Sequence, residues 1–153
     1  MSRRSGQNRL VGAIFPILPE HVSDLFSHHR DIFVKFTKLK LDRRSIIVFY
    51  VPHQKLLIGE ARVQHMEKLN PTIAWSRYKD RLFLNQEEYD RYVTISPVSQ
   101  EKRKMSDITV FELDNMTKYT GLVRSIYPIT SSGRYLTTDM IKEIRKLGLP
   151  KAS

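Results

Sequence analysis

Three consecutive β-strands with a fully apolar inner member constrain the fold more than any other feature of this sequence. Residues 30–60 contain a strand pattern over residues 32–37, a basic link, the apolar run Ile46–Val51 and the start of a third strand over residues 56–63. The inner run does not alternate apolar and polar residues, which is expected of a central strand covered on both faces. Because the links carry most of the local positive charge, the sequence predicts a small β-barrel core with a basic rim.

Proline and asparagine signals predict three helices, one before these three strands and two after them. A first strand over residues 10–15 stops at the proline that follows it, and a helix begins at Pro19. Asn70 before a proline is the pattern of an N-cap with proline in the first helical turn. Asn85 with Glu88 three residues later completes a capping-box pattern, which predicts another short helix.

The C-terminal part of the chain reads as two strands and a helix. Residues 108–113 alternate as a half-buried strand does, and residues 122–127 are its predicted partner. The final helix begins at about Thr138 and stops at Gly148. The elements together predict an α+β fold, a mixed and mostly antiparallel small β-barrel with helices covering its openings. The residues of the last helix predicted to face inward are Met140, Ile141, Ile144 and Leu147.

Length and composition bound the class of protein. The 153 residues suffice for one compact domain, so we expect a flexible basic arm over residues 1–8 and a single domain over residues 9–150. The absence of cysteine excludes disulfides, thiol catalysis and zinc ribbons. No signal-peptide pattern or membrane-spanning run occurs, so we expect a cytoplasmic protein with no membrane partner. A monomer without a cofactor is the default expectation.

The charge of the chain points to a polyanionic partner. Lys and Arg number 26 against 16 Asp and Glu, a formal net charge of +10. Such an excess favours nucleic acid, because cationic side chains that neutralise phosphates release counterions. The alternative is a solubilising charge with no partner, or an ordinary solvated loop where the charges cluster. The basic residues predicted to contact nucleic acid are Arg30, Lys35, Lys38, Lys40, Arg43, Arg44, Arg77, Arg81, Lys102, Arg103, Lys104 and Arg134.

An aromatic and basic cluster follows Pro71. Trp75 and Tyr78 interleave with two arginines, a pairing that can stack unpaired bases and hold adjacent phosphates. At helical spacing the same rings can instead pack on the barrel, and for Trp75 the two interpretations weigh about equally.

Catalytic and metal motifs are sparse. A metal site needs about three protein ligands at fixed geometry, but the adjacent His28 and His29 point in different directions and no cysteine or clustered carboxylate assists them or His21. No metal site is therefore predicted. Lys35 and Glu60 form a candidate acid/base pair across adjacent strands, although a structural ion pair is the more frequent arrangement. No phosphate-binding glycine loop, nucleophile elbow or metal-hydrolase motif occurs. The residues therefore favour a binding module over an enzyme.

The order of the short motifs resembles the PUA-like superfamily, which includes the ASCH, EVE and YTH domains, and more narrowly a small uncharacterised archaeal family of such domains. The resemblance covers most of residues 10–145. The motifs that carry it are Phe15-Pro16-Ile17, Ile32-Phe33-Val34-Lys35, Ile47-Val48-Phe49-Tyr50, Ile58-Gly59-Glu60-Ala61, Arg81-Leu82-Phe83-Leu84 and Gly133-Arg134-Tyr135-Leu136.

This resemblance implies an RNA-binding module, for tRNA or rRNA, that recognises an unpaired or modified base in a pocket beside the first strand and first helix. The alternative that it implies is an ASCH-type hydrolase of an acylated or modified nucleoside, with Lys35 and Glu60 as the catalytic pair. The ASCH signature Gly-x-Lys-x-x-Glu-x-Arg is absent here, which favours binding. The residues expected to bound the pocket with Lys35 are Phe15, Pro16, Trp75, Tyr78 and Tyr135.

Overall fold

The structure, a computed structural model, describes residues 8–27, 30–95 and 107–150. Residues 1–7 of the predicted arm and the basic run Lys102–Lys104 lie outside these ranges. The described residues form six strands and four helices. In chain order these are β1 Leu10–Pro16, α1 Pro19–Ser27, β2 Ile32–Lys35, β3 Ile46–Val51, β4 Leu56–Leu69, α2 Pro71–Tyr78, α3 Gln86–Ile95, β5 Ile108–Arg124, β6 Arg134–Thr137 and α4 Thr138–Gly148.

The six strands form one curled mixed sheet in the order β2-β5-β4-β3-β1-β6. Only the β1–β3 pair is parallel, and the other four neighbouring pairs are antiparallel. The sheet makes a half-barrel, and the helices pack around it. This architecture confirms the predicted α+β class with a mostly antiparallel small barrel.

The inner strand β3 separates two hydrophobic cores. All six of its residues are buried, as the unbroken apolar run predicted. Ile47, Phe49 and Val51 belong to the main core, and the alternate residues belong to a second core on the opposite face. A strand that supplies both cores requires apolar side chains at every position, which explains why it shows no alternation.

Helix α4 covers the second core, but one of its four residues predicted to face inward does not. Met140, Ile141 and Ile144 are buried there, but Leu147 is 55% exposed. A Cβ placed at Gly148 would lie 2.7 Å from the Tyr119 ring, so the last turn approaches β5 through its backbone. Leu147 therefore points to solvent. Within the described ranges, no helix has both the length and the apolar character that crossing a bilayer requires.

The predicted pairing of residues 108–113 with residues 122–127 is wrong. Both segments belong to the single 17-residue strand β5, which pairs along its length with the 14-residue strand β4. Three register shifts bend this ribbon, and Asn115 in it has a positive φ of 51°. Bulges of this kind let a strand curl without ending, so the polar residues in mid-strand mark a bend and not a turn between two strands.

The segment after β2 closes the open side of the half-barrel. The hydroxyl of Thr37 donates to the Ser132 carbonyl at 2.9 Å, and the Lys40 amide donates to the Tyr135 hydroxyl at 2.7 Å. The motif Gly133-Arg134-Tyr135-Leu136 leads into β6, which pairs with β1. Residues 36–41, called here the closing segment, thus lie beside the other edge of the sheet.

Candidate functional site

A cavity of about 170 Å³ opens beside the end of β1, between α1, β2 and α3. This volume is several times the roughly 30 Å³ that one water molecule occupies in the liquid. Pro16, Phe33 and Phe83 are among the apolar residues of its wall. The polar side chains that line it are Glu20, His21, Lys35, Glu88, Arg91 and Tyr92.

Lys35, the last residue of β2, is the buried cation of this cavity. It is only 8% exposed, and burial lowers the pKa of its ammonium to about 8. Its Nζ lies 5.8 Å from the centre of the Tyr92 ring. In the described part of the chain, no carboxylate forms an ion pair with it. An unpaired ammonium in an apolar cavity is available to donate to the acceptor atoms of a ligand.

Tyr92 of α3 is fixed above this lysine. Its hydroxyl accepts a hydrogen bond from the Phe36 amide at 2.9 Å, and its ring packs on the Phe36 ring with a 5.4 Å separation of centres. Burial raises the pKa of Tyr92 to about 12, so the phenol stays neutral beside Lys35. Helix α3 holds it there through the predicted capping box, in which Asn85 and Glu88 exchange hydrogen bonds of 2.8 and 2.9 Å.

The structure brings two of the expected pocket residues, Pro16 and Lys35, to the cavity. Phe15 is fully buried in the main core, against the rings of Phe33 and Phe111. Tyr135 lies at the closing segment, where its hydroxyl binds Lys40. Strand side chains alternate, so Phe15 faces the main core while its neighbour Ile14 faces the second core.

Trp75 and Tyr78 belong to α2, and neither lines the cavity. The Trp75 ring contacts the Tyr89 ring with centres 5.2 Å apart and packs against the main core. Tyr89 is itself held by a 2.6 Å hydrogen bond from its hydroxyl to the Pro71 carbonyl. Tyr78 donates to the Glu67 carboxylate. The geometry therefore gives Trp75 a packing role.

Trp75→Ala should consequently lower stability and leave RNA affinity within about twofold of the native value. Loss of a half-buried indole from the core costs about 2–4 kcal/mol in the free energy of unfolding. Thermal denaturation measures the first effect, and fluorescence anisotropy with labelled RNA measures the second. A well-folded variant with native melting temperature and much weaker RNA binding would contradict this assignment.

Two of the predicted phosphate-binding arginines are already neutralised by carboxylates. Arg81 makes a 2.7 Å contact with Asp31 and a 2.6 Å contact with Glu112, and these hydrogen bonds raise its pKa. Arg77 lies 3.3 Å from Glu67. Partnered in this way, the two guanidinium groups have less charge to offer a phosphate.

The proposed acid/base pair of Lys35 and Glu60 is not formed. Strand β5 lies between β2 and β4, so the two residues are not on adjacent strands. Glu60 instead accepts hydrogen bonds from the Tyr119 hydroxyl at 2.8 Å and from the Arg145 guanidinium at 2.5–3.1 Å. The carboxylate thus ties α4 to the sheet as a structural ion pair.

Unpaired arginines gather at the opposite end of β1. An open groove of about 660 Å³ is lined by Arg9, Arg43, Arg44 and Arg62, together with Asp42. Among the described residues, none of these four arginines forms an ion pair with a carboxylate. We call these four residues the arginine groove.

Backbone carbonyls orient the arginine groove. The Nε of Arg43 donates to the Gln64 carbonyl at 3.2 Å, and the Nη1 of Arg62 donates to the Arg44 carbonyl at 3.0 Å. Arg9 and Arg62 were missed at the level of sequence. Burial alternates along this part of β4, so Arg62 faces outward between two buried residues. Only the pairing of β4 with β3 places Arg62 beside residues 43 and 44.

The remaining predicted cations occupy different places. Lys38 and Lys40 are exposed on the closing segment, between the cavity and the arginine groove. Arg134 lies over the Tyr127 ring, 5.0 Å from its centre. Arg30 donates to the Leu82 carbonyl at 3.0 Å. Since β1 has seven residues, the cavity and the groove at its two ends lie about 20 Å apart at ~3.3 Å per residue.

Comparisons with known proteins agree with this architecture. Residues 10–138 match the family described as a domain of unknown function, DUF365. Over 104 residues the chain is 31% identical to the uncharacterised protein MJECS03 of the archaeon Methanocaldococcus jannaschii, across 65% of this chain and 96% of that protein. The ASCH protein from Zymomonas mobilis superposes with a TM-score of 0.73 at 16% identity, across 90% of this chain and 95% of that one. The chain therefore belongs to the DUF365 family and has the PUA-like fold of the ASCH domain.

Proposed function

We propose that this protein is an RNA-binding module that takes an unpaired or modified base into the cavity beside Lys35. The observation that carries the proposal is the unpaired, buried ammonium of Lys35 in a cavity with apolar walls. Such a cation destabilises an empty site and becomes favourable when a ligand supplies acceptor atoms.

The chemistry of the cavity suits a nucleobase. A base has two apolar faces and a polar edge, and proteins bind unpaired bases by packing on the faces and by hydrogen bonds to the edge. Pro16, Phe83 and the Tyr92 ring offer packing surfaces. Lys35 offers a donor, and Glu88 offers an acceptor oxygen on the same wall. A duplex would have to release its base first, so the proposal favours single-stranded RNA.

The surface charge suits the adjoining phosphates. Lys38 and Lys40 lie along the route from the cavity to the arginine groove, about 20 Å away at ~3.3 Å per residue of β1. Phosphate contacts from such cations position a strand without reading its sequence. In this proposal, base selection belongs to the cavity, and most of the affinity belongs to the cations of the closing segment and the arginine groove.

The test is a set of anisotropy titrations with labelled single-stranded and duplex RNA of equal length, each repeated at several salt concentrations. We expect tighter binding of the single strand and a logarithmic affinity that falls linearly with the logarithm of salt concentration. No binding at low salt would overturn the proposal. Equal affinity for the two RNAs would remove the role of the cavity.

A second candidate, hydrolysis of an acylated or modified nucleoside, is favoured by one observation. The lowered pKa of Lys35, about 8, leaves part of it as a neutral amine near neutral pH, able to act as a base. Its carboxylate partner is then Glu88 and not Glu60, because Glu88 lines the same cavity as Lys35 and Glu60 does not.

Incubation with a panel of N-acylated and other modified nucleosides, followed by mass spectrometry, tests this second candidate. Turnover that is lost in Lys35→Met and Glu88→Gln but retained in Glu60→Gln would establish it over simple binding. Binding of the same nucleosides without any product would exclude it.

A further inference from the structure

We propose that His21, Asp24 and Glu88 form a binding site for a divalent transition-metal ion such as Zn²⁺ or Mn²⁺ at the mouth of the cavity. The proposal is independent of RNA binding. No metal site was expected because no carboxylates cluster near the histidines in the sequence, whereas the fold brings together two carboxylates from separate helices. His28 and His29 lie outside the described residues.

The fold brings the three groups together. His21 and Asp24 are three residues apart on α1, so their side chains share one face of the helix. Glu88 lies in the first turn of α3, which packs nearby. One ligand atom from each residue lies within 4.8 Å of the others. A small closure of side-chain rotamers brings such atoms to the distances found around a bound metal ion.

His21 supplies the observation that points to a ligand. It is 6% exposed, and its Nδ1 has no hydrogen-bond partner among the described atoms. The Oε2 atom of Glu88 is 3.6 Å from it, which is too long for a hydrogen bond. Buried polar atoms are nearly always satisfied, so this nitrogen requires an explanation. A metal ion between the imidazole and the carboxylate provides one.

The neighbours of the cluster hold it in place. The His21 ring packs edge-on against Phe83, with centres 5.7 Å apart and planes at 89°. The other carboxylate oxygen of Glu88 accepts a 2.9 Å hydrogen bond from the Asn85 amide. Outer contacts of this kind orient the ligating groups of metal sites. The imidazole and the side chain at 88 are therefore positioned by partners that a bound ion would not displace.

The donor set indicates which ions fit. One imidazole and two carboxylates suit Zn²⁺, Mn²⁺ or Fe²⁺, whereas Mg²⁺ and Ca²⁺ prefer oxygen ligands only. Three protein ligands leave coordination positions for water or for a ligand atom. His21 and Glu88 also line the cavity, so those positions face the space that Lys35 enters. A base or an acyl group bound there would lie close to both the ion and the lysine.

The experiment uses the full chain after treatment with a chelator and dialysis. Titration with Co²⁺, followed by its visible absorption, and calorimetry with Zn²⁺ should show one saturable site. Asp24→Asn and Glu88→Gln should each weaken binding by at least about tenfold, because each removes a charged ligand. The glutamine variant keeps the capping box, so α3 remains intact. Bound Zn²⁺ should also raise the melting temperature of the native chain by more than that of either variant at the same Zn²⁺ concentration.

Glu20→Gln is the matched control. Glu20 also lines the cavity and lies in the first turn of α1, but it does not belong to the cluster of His21, Asp24 and Glu88. Replacing its carboxylate should therefore leave metal affinity unchanged. Circular dichroism of every variant before metal addition checks folding. Absence of a saturable site overturns the proposal. Equal affinity of the native chain and the two cluster variants also overturns it, by placing the ion elsewhere.

Discussion

Lys35→Met should make the protein more stable at neutral pH. The pKa of this lysine falls from its usual 10.5 to about 8 on burial, so the folded state disfavours the ammonium. Below pH 8 both the folded and the unfolded chain carry the proton, and the full cost of burying the charge persists. That cost is about 3 kcal/mol by linkage. Methionine has a similar length and no charge, so the variant should recover most of it.

The sign of the pH dependence follows from the same pKa values. Between pH 8 and 10.5 the unfolded chain binds more protons at this position than the folded chain, so the free energy of unfolding of the native protein should rise with pH. Lys35→Met should lack that rise. Urea denaturation at several pH values from 7 to about 10 measures both quantities. Lys38→Met removes the same charge from an exposed position and is the control.

The same substitution should remove the function that we propose. Without the ammonium, the cavity has lost its buried cationic donor. We expect at least about a tenfold loss of affinity for single-stranded RNA. The salt dependence should change little, because Lys35 is not placed to neutralise an outer phosphate. A variant that is less stable than the native chain would contradict the stability prediction. A more stable variant with native affinity would instead refute the base pocket.

Neutralising the arginine groove should have the largest effect on RNA affinity. Each phosphate contact on a single strand contributes about −0.7 to the slope of log affinity against log salt. Loss of four contacts should flatten the slope by about 3 and lower affinity about 10²–10³-fold at 0.1 M salt. The variant to make is Arg9→Gln, Arg43→Gln, Arg44→Gln and Arg62→Gln combined.

A charge-matched variant separates local contact from net charge. The quadruple glutamine variant of Lys55, Lys79, Lys142 and Lys146 removes four positive charges at exposed positions outside the groove. It should flatten the slope by less than one unit. Equal losses in the two quadruple variants would show that the chain attracts RNA by overall charge alone, and that the groove has no separate role.

Local signals made much of the fold predictable. The unbroken run of β3, the Asn70 cap before Pro71 and the exchange between Asn85 and Glu88 each depend on residues within a few positions of one another. A central strand, an N-cap and a capping box are decided at that range. The sheet order needed the family resemblance in addition, because no single motif determines it.

The site was less predictable because its members meet through long-range packing. Lys35 and Pro16 were expected at a pocket, but Tyr92 and Glu88 reach it only because α3 packs beside β2. The ion pair of Arg81 with Asp31 joins residues 50 positions apart. Composition cannot reveal which arginines are neutralised, so paired and unpaired cations looked alike in the sequence.

The pairing of β1 with β6 also has a consequence for how the chain acquires its structure. Both the amide and the hydroxyl of Thr138 donate to the Arg9 carbonyl, across 129 positions. A ribosome that adds about 5–20 residues per second needs roughly 6–26 s to pass from one residue to the other. Throughout that interval β1 has at least one unpaired edge, and contacts of such high sequence separation slow the search for the native state. Until translation is nearly complete, that edge of the first strand is therefore open to pairing with other chains.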